Sequence, residues 1–164
     1  MVIHMNFSRF LFPVLMIVTL SSCSFQKHTR KTHTENVNPT RFEIVKDAHD
    51  ALGAGYRYGA TGSKRYDCSG LIYTLFATNE IALPRSTKAM AQYGEKIKKD
   101  DLLPGDLIFF KNVGKIDHVA MVSRMSPAKT WLIHSTTSRG VIEEVLEDSS
   151  YWSRRVVQYR RVIP

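Results

Sequence analysis

Hydrophobic and polar positions change their pattern twice along this chain. Residues 10 to 20 form an apolar run, FLFPVLMIVTL, with Arg9 ahead of it and Leu20-Ser21-Ser22-Cys23 closing it. A basic start, a short apolar core and a small-residue cleavage site are the order of an export signal. The run is too short to span a bilayer comfortably as a permanent helix. Residues 24 to 39, SFQKHTRKTHTENVNP, are polar, basic and nearly free of large apolar side chains. Such a stretch cannot bury enough surface to fold and is expected to be a flexible tether. The expected organisation is therefore a signal over 1–22, a tether over 23–39 and one folded domain over 40–164, enough chain for a single core.

Inside that domain the apolar period shifts from helical to extended. Val45, Ala48 and Leu52 recur at helical spacing until Gly53 and Gly55, which predicts a helix over about 42–52. Thr40 and Glu43 fit a capping box at its start. His49 within it is expected on the surface. Leu71, Ile72, Leu75 and Phe76 form an apolar stripe that predicts a second helix over 67–79, with Asp67 capping its free amides. A shorter helix is expected from Ser86 to Tyr93, stopped by Gly94. After Pro104-Gly105 come five short runs rich in β-branched and aromatic residues, at 106–110, 118–124, 130–136, 140–145 and 155–162. Helices first and a mostly antiparallel sheet afterwards make an α+β fold.

Lysine and arginine outnumber aspartate and glutamate 23 to 15, a formal charge of +8 that favours anionic surroundings such as wall polymer or lipid head groups. The basic residues are scattered and are not interleaved with an aromatic platform, so no nucleic-acid module is expected. Cysteine usage is more specific. Cys23 closes the export signal, which leaves Cys68, in the run Tyr66-Asp67-Cys68-Ser69-Gly70, as a free thiol. In isolation a free cysteine is most often a small buried hydrophobe. At the first turn of a helix, however, the dipole favours the thiolate, and such sites lower a cysteine pKa to roughly 3.5 to 7.5. The expectation is a sulfur aimed inward and helped to ionise.

His118 opens one predicted strand and His134 lies in the next. A turn centred near Pro127 sets His134 opposite Ala120, which shares a sheet face with His118. The imidazoles are then diagonal neighbours, with roughly 7 to 8 Å between their backbone positions. A one-residue slip would separate them to opposite faces. A thiol at a helix start, a histidine to take its proton and a second polar group to orient that imidazole are the requirements of nucleophilic catalysis by cysteine.

The segments GYRYGATGSKRYDCSGLIYTLF (55–76), LPRST (83–87), LPGDLIFF (103–110), DHVAMV (117–122) and IHST (133–136) together resemble the NlpC-type cell-wall peptidases. The likeness runs from about residue 42 to 162. It implies a papain-like fold and hydrolysis of peptide stems in bacterial peptidoglycan, with no metal or organic cofactor. Position by position, it implies Cys68 as nucleophile, His118 as general base and later acid, and His134 as the residue orienting His118. Tyr56, Asp67 and Ser69 match positions lining the substrate site, with Tyr56 and the Cys68 amide as oxyanion donors; Arg85 and Ser86 lie in a motif bordering the cleft. Gly59-Ala60 stands where relatives commonly have two glycines, a modest departure. No wall-binding module is recognisable beside the domain, which is the layout of members acting on intact, crosslinked wall.

Leu20-Ser21-Ser22-Cys23 resembles the lipobox of bacterial lipoproteins, which implies acylation of Cys23 and a membrane anchor. Ser24 lacks the aspartate that signals inner-membrane retention in some bacteria, so an outer-membrane lipoprotein facing the periplasm is expected. A monomer is expected as well. Ordinary secretion with Cys23 unmodified is the alternative to the anchor. The functional rivals are a wall-binding lipoprotein with vestigial machinery, and a zinc hydrolase using Cys68, His118 and His134. Against zinc stands the lack of two ligands close in sequence, as in HExxH.

Overall fold

The computed structural model describes residues 38–164; the expected export signal, Cys23 and most of the expected tether lie outside the described residues. Among those described, no helix is long and apolar enough to cross a membrane. Helix α1, Pro39–Asp50, starts earlier than its apolar spacing suggests. Asn38 caps it by accepting the Thr40 amide at 3.0 Å, and Pro39 occupies the first turn. Proline there has no amide to satisfy and its φ is already helical. The Thr40–Glu43 capping box is therefore not formed, because the helix begins before Thr40 can cap it. Ile44 and Ala48 are fully buried from this helix, and Arg41, unexpectedly, is buried beside them.

Three two-residue strands follow, β1 (Gly55–Tyr56), β2 (Thr61–Gly62) and β3 (Arg65–Tyr66), in the order β1-β3-β2. Helix α2, Cys68–Thr78, buries the expected stripe of Leu71, Ile72, Leu75 and Phe76. Helix α3 is a single turn, Thr87–Met90, shorter than its predicted span. A second sheet has the order β4-β9-β5-β6-β7-β8, antiparallel throughout: β4 Glu95–Ile97, β5 Leu107–Asn112, β6 Lys115–Met125, β7 Thr130–Thr136, β8 Gly140–Val145 and β9 Val156–Arg161. The one-turn helix α4, Ser150–Ser153, lies between β8 and β9.

Strand alternation divides the apolar residues between two faces of this sheet. Leu107, Phe109, Val119, Met121 and Ile133 pack with α1 and α2. Ile108, Phe110, Ala120, Val122 and Leu132 pack on the other side with Leu102, Leu146 and Trp152. The chain ends of the domain are joined by ionic contacts. Asp106 is fully buried and accepts from Arg41 Nη1 (3.0 Å), Arg161 Nη2 (2.7 Å) and the Leu103 amide (2.9 Å). Removing one partner of such a buried pair typically costs about 3 to 5 kcal/mol.

The register between β6 and β7 depends on one extra residue. Near the tip Met125 pairs with Thr130 and Arg124 with Trp131, whereas deeper in the sheet Val122 pairs with Leu132 and Met121 with Ile133. Ser123 is the unpaired bulge residue. Carried inward without it, the tip register would set His134 opposite Met121, on the helix-packed face. The bulge moves His134 opposite Ala120, so the expected pairing is realised, through an irregularity that the turn position alone does not reveal.

The β5–β6 hairpin turns on Val113 and Gly114, with φ of 44° and 79°. Two left-handed residues in a two-residue loop are the setting that favours Asn-Gly. A β-branched residue is strained there, and Val113 is 93 % exposed, so no packing offsets the strain. Val113→Asn is expected to raise stability by about 1 kcal/mol. A urea midpoint that stays put or falls would show that Val113 makes a compensating contact.

Candidate active site

Asp67 organises the start of α2. Its Oδ1 accepts the Gly70 amide at 2.6 Å and its Oδ2 accepts the Gly59 amide at 2.8 Å, tying helix and preceding loop to one carboxylate. The two segments are in close contact: a Cβ on Gly70 would sit 2.0 Å from the Ala60 carbonyl oxygen. Arg85 closes the group, donating to Asp67 at 2.7 and 3.1 Å, while Ser69 Oγ donates to Asp67 and accepts from Arg85 at 2.8 Å. Burial works to raise the Asp67 pKa, but Arg85 and the two amides outweigh it and hold the carboxyl below its ordinary value. Ser86 caps α3 by accepting the Ala89 amide at 3.3 Å.

Cys68 is thereby the first residue of α2, with its Sγ 3.6 Å from Thr87 Oγ1 and 3.6 Å from the Asp117 carbonyl. The expected help towards ionisation is reversed. Burial pushes the thiol up, and the negative Asp67 adds to it. Bonds from Thr87 and from the Ser69 and Val119 amides offset only part.

The two histidines meet as neighbours on the face away from α2. His118 Nε2 lies 2.8 Å from His134 Nδ1, and His134 Nε2 lies 2.7 Å from Glu144 Oε1. Arg139 donates to the other Glu144 oxygen at 2.9 Å. The His134 bond and Arg139, working against burial, lower Glu144 to about 2, so it is an anion and can only accept. Hydrogen-bond logic then fixes both rings: His134 carries its proton on Nε2, His118 carries its own on Nε2, and His118 Nδ1 is left with a lone pair. Both nitrogens of His134 are engaged, which leaves none for a metal and argues against the zinc alternative.

Trp152 covers this relay, stacked on His118 at 4.4 Å and edge-on to His134 at 5.0 Å. His134 is fully buried. Burial, followed by His134, lowers the His118 pKa to about 3, with the Glu144 charge opposing. At rest, thiol and imidazole are both neutral. Glu144, Arg139, Thr87 and Trp152 escaped the sequence reading. Glu144 alone carried a signal, since its β8 position two residues beyond Ile142, the partner of His134, shares that face.

An open cleft runs past the thiol in two arms that share Tyr56, Cys68 and Asp117. One, of about 580 Å³, is lined by His118, Trp152, Tyr151, Lys111, Arg139 and Arg155. The other, of about 560 Å³, is lined by Tyr58, Asp67, Ser69, Arg85, Ser86 and Thr87. All eight residues singled out in the folded domain thus border the thiol's cleft or support it; among the five secondary ones, Tyr56 spans both arms and the other four gather in one.

The NlpC/P60 family profile matches residues 53–161. The chain belongs to the NlpC/P60 family. It is 33 % identical over 161 residues to the Escherichia coli protein named "Probable endopeptidase NlpC", covering 94 % of this chain and 99 % of that one. It is 32 % identical over 158 residues to the "Gamma-DL-glutamyl hydrolase" of Bacillus subtilis, covering 96 % of this chain and 37 % of that longer protein. The crystal structure of an NlpC/P60 family protein from Bacillus cereus superposes with a TM-score of 0.68 at 27 % identity, covering 76 % of this chain and 40 % of that one. The α+β, papain-like fold expected from the sequence is the fold of this family.

Two titrations follow from these charges. The rate of Cys68 alkylation by iodoacetamide should rise with pH around a midpoint above the ordinary thiol value of about 8.5; a reactive plateau extending below neutrality would mean an ionised thiolate–imidazolium pair. Stability should fall on acidification. The fold keeps His118 neutral down to about pH 3, whereas the unfolded chain binds that proton near 6.5. The unfolded state binds more protons between those values, so this contribution is full above 6.5 and is lost as pH falls. Glu144, lowered from 4.5 to about 2, acts the same way further down. Chemical denaturation at pH 7 and pH 5 should show the loss, and His118→Asn should flatten it; an unchanged slope in that variant would clear His118 of the effect.

Proposed function

We propose that this chain is a lipid-anchored peptidoglycan endopeptidase whose nucleophile is Cys68. One observation carries the reading: the Glu144–His134–His118 relay leaves a lone pair on His118 Nδ1, and His118 lines the same open cleft as the Cys68 thiol. The thiol proton passes to that nitrogen as sulfur attacks a stem-peptide carbonyl carbon. The C–N bond then breaks, His118 gives the proton to the leaving amine, and a thioester remains. In the second half His118 takes a proton from water, hydroxide adds to the thioester carbonyl, the C–S bond breaks to release the acid, and His118 returns its proton to the sulfur. The Cys68 amide and the Tyr56 phenol stabilise the oxyanion, donors commonly worth on the order of 10² to 10³ in rate. Burial, with Cys68 and Asp67 nearby, keeps Tyr56 protonated and able to donate.

Two bonds fit this chemistry, the D-glutamyl to diamino acid bond within a stem and the D-alanyl to diamino acid crosslink between stems. Acylation of Cys23 would hold the domain at the envelope, on the periplasmic face of an outer membrane, with the tether giving it access to nearby wall. A vestigial wall-binding protein would have no use for a tautomer-fixing carboxylate behind the histidines.

Cys68→Ala should reduce fragment release from purified peptidoglycan to background while leaving the thermal midpoint intact; wild-type turnover in that variant would sink the mechanism. Glu144→Gln replaces an acceptor-only carboxylate with an amide that can also donate and so no longer dictates the tautomers, and its kcat should fall by on the order of 10² to 10⁴. His134→Ala should cost less than His118→Ala, since only His118 moves the proton. Cys23→Ala should abolish palmitate labelling and release the protein from membranes, without altering its activity on soluble fragments; persistent membrane binding would defeat the anchor alone.

A further inference from the structure

The two arms of the cleft differ in which reacting groups they hold. His118 lines only the larger arm. The imidazole that accepts the thiol proton must deliver it to the departing amine, so the amine leaves from the arm that contains that imidazole. The Arg85 arm then takes the acyl side of the peptide, and the Trp152 arm takes the leaving, C-terminal side.

Three cations line the leaving arm, against one carboxylate, Asp117. Arg139 is committed to Glu144. Lys111 and Arg155 have no carboxylate partner among the described residues. Arg155 is held in place: its guanidinium carbon lies 3.7 Å from the centroid of the Tyr151 ring, and Nη1 donates to the Tyr151 carbonyl at 2.8 Å. Its Nε and Nη2 make no hydrogen bond among the described residues. Lys111 is its neighbour, with its backbone amide donating to the Arg155 carbonyl at 2.9 Å. A guanidinium seated over an aromatic ring, with its Nε–Nη2 edge unused, matches the two oxygens of a carboxylate.

We infer that Arg155, assisted by Lys111, binds a carboxylate on the leaving fragment and thereby selects peptides whose C-terminal side carries a free acid. The assignment of arms rests on the peptidase reading; the anion preference of this arm does not. The test uses two peptides that differ only in whether that carboxylate is free or amidated. Wild-type kcat/KM should favour the acid by about ten-fold, the worth of one charge-assisted hydrogen bond. Arg155→Gln should erase the preference, chiefly through the KM of the acid; Arg155→Lys should restore part of it; Lys111→Gln should weaken it. Calorimetry on Cys68→Ala with the two amine-side fragments reads binding without turnover. The acid fragment should bind tighter, and the added Arg155→Gln change should level the two. Tighter binding of the acid without cleavage by the wild type would overturn the peptidase reading alone. Cleavage of both peptides at equal rates, or fragment binding that is equal or absent, would overturn the inference. Were Arg155→Gln to unfold, Lys111→Gln and the wild-type comparison of acid with amide would still decide.

Discussion

The Asp67 carboxylate is the constraint on which the cleft is built. A helix start leaves amides without partners, and Asp67 satisfies one from α2 while taking another from the Gly59 loop. The same oxygens receive Arg85, so one charge joins three segments that are distant in sequence. Cys68 follows Asp67 directly, so the cluster fixes the backbone from which its sulfur reaches Thr87 and Asp117. Gly70 permits the arrangement because the Ala60 carbonyl occupies the space of a side chain there. Asp67 thus explains Cys68's position better than Cys68's protonation, since its negative charge opposes a thiolate.

A second system, independent of the first, prepares the histidines. Its direction comes from Glu144, which can only accept, and each hydrogen bond onward fixes the next ring. Trp152 packs against both rings, and burial disfavours a charged imidazole at His118. The low-polarity setting that suppresses ionisation at rest also strengthens every charge that appears during a reaction. In the proposed mechanism, thiol and imidazole exchange a proton together with bond formation.

Much of this was legible in the residues, and what was not has physical reasons. The α2 stripe, Asp67 as cap, the five main strands and the shared face of His118 and His134 all follow from periods of 3.6 and 2. The cap of α1 did not, because Asn38 lay within a stretch that composition marks as tether. The strands β1 to β3 are too short to show any period. Glu144 reads as a solvent-facing strand residue until the sheet's second face is known to be covered, and the cover, Trp152, sits on a single helical turn. Asp106 looks like part of the Pro104-Gly105 turn, and only the fold brings Arg41 and Arg161 to it. Protonation was the least legible, since burial, which decides it, is a property of the assembled cleft.

The Ser123 bulge divides the β6–β7 hairpin into zones with different tolerance for changes in length. Beyond it, towards Ser126 and Lys129, one residue added to each strand would lengthen the tip and leave the pairing of Val122 with Leu132 untouched. Between Ser123 and His118, a single residue gained or lost would swap inside for outside, turning the imidazole from Trp152 towards Leu71 and Ile72. Parity, more than sequence identity, is what this stretch of strand must preserve.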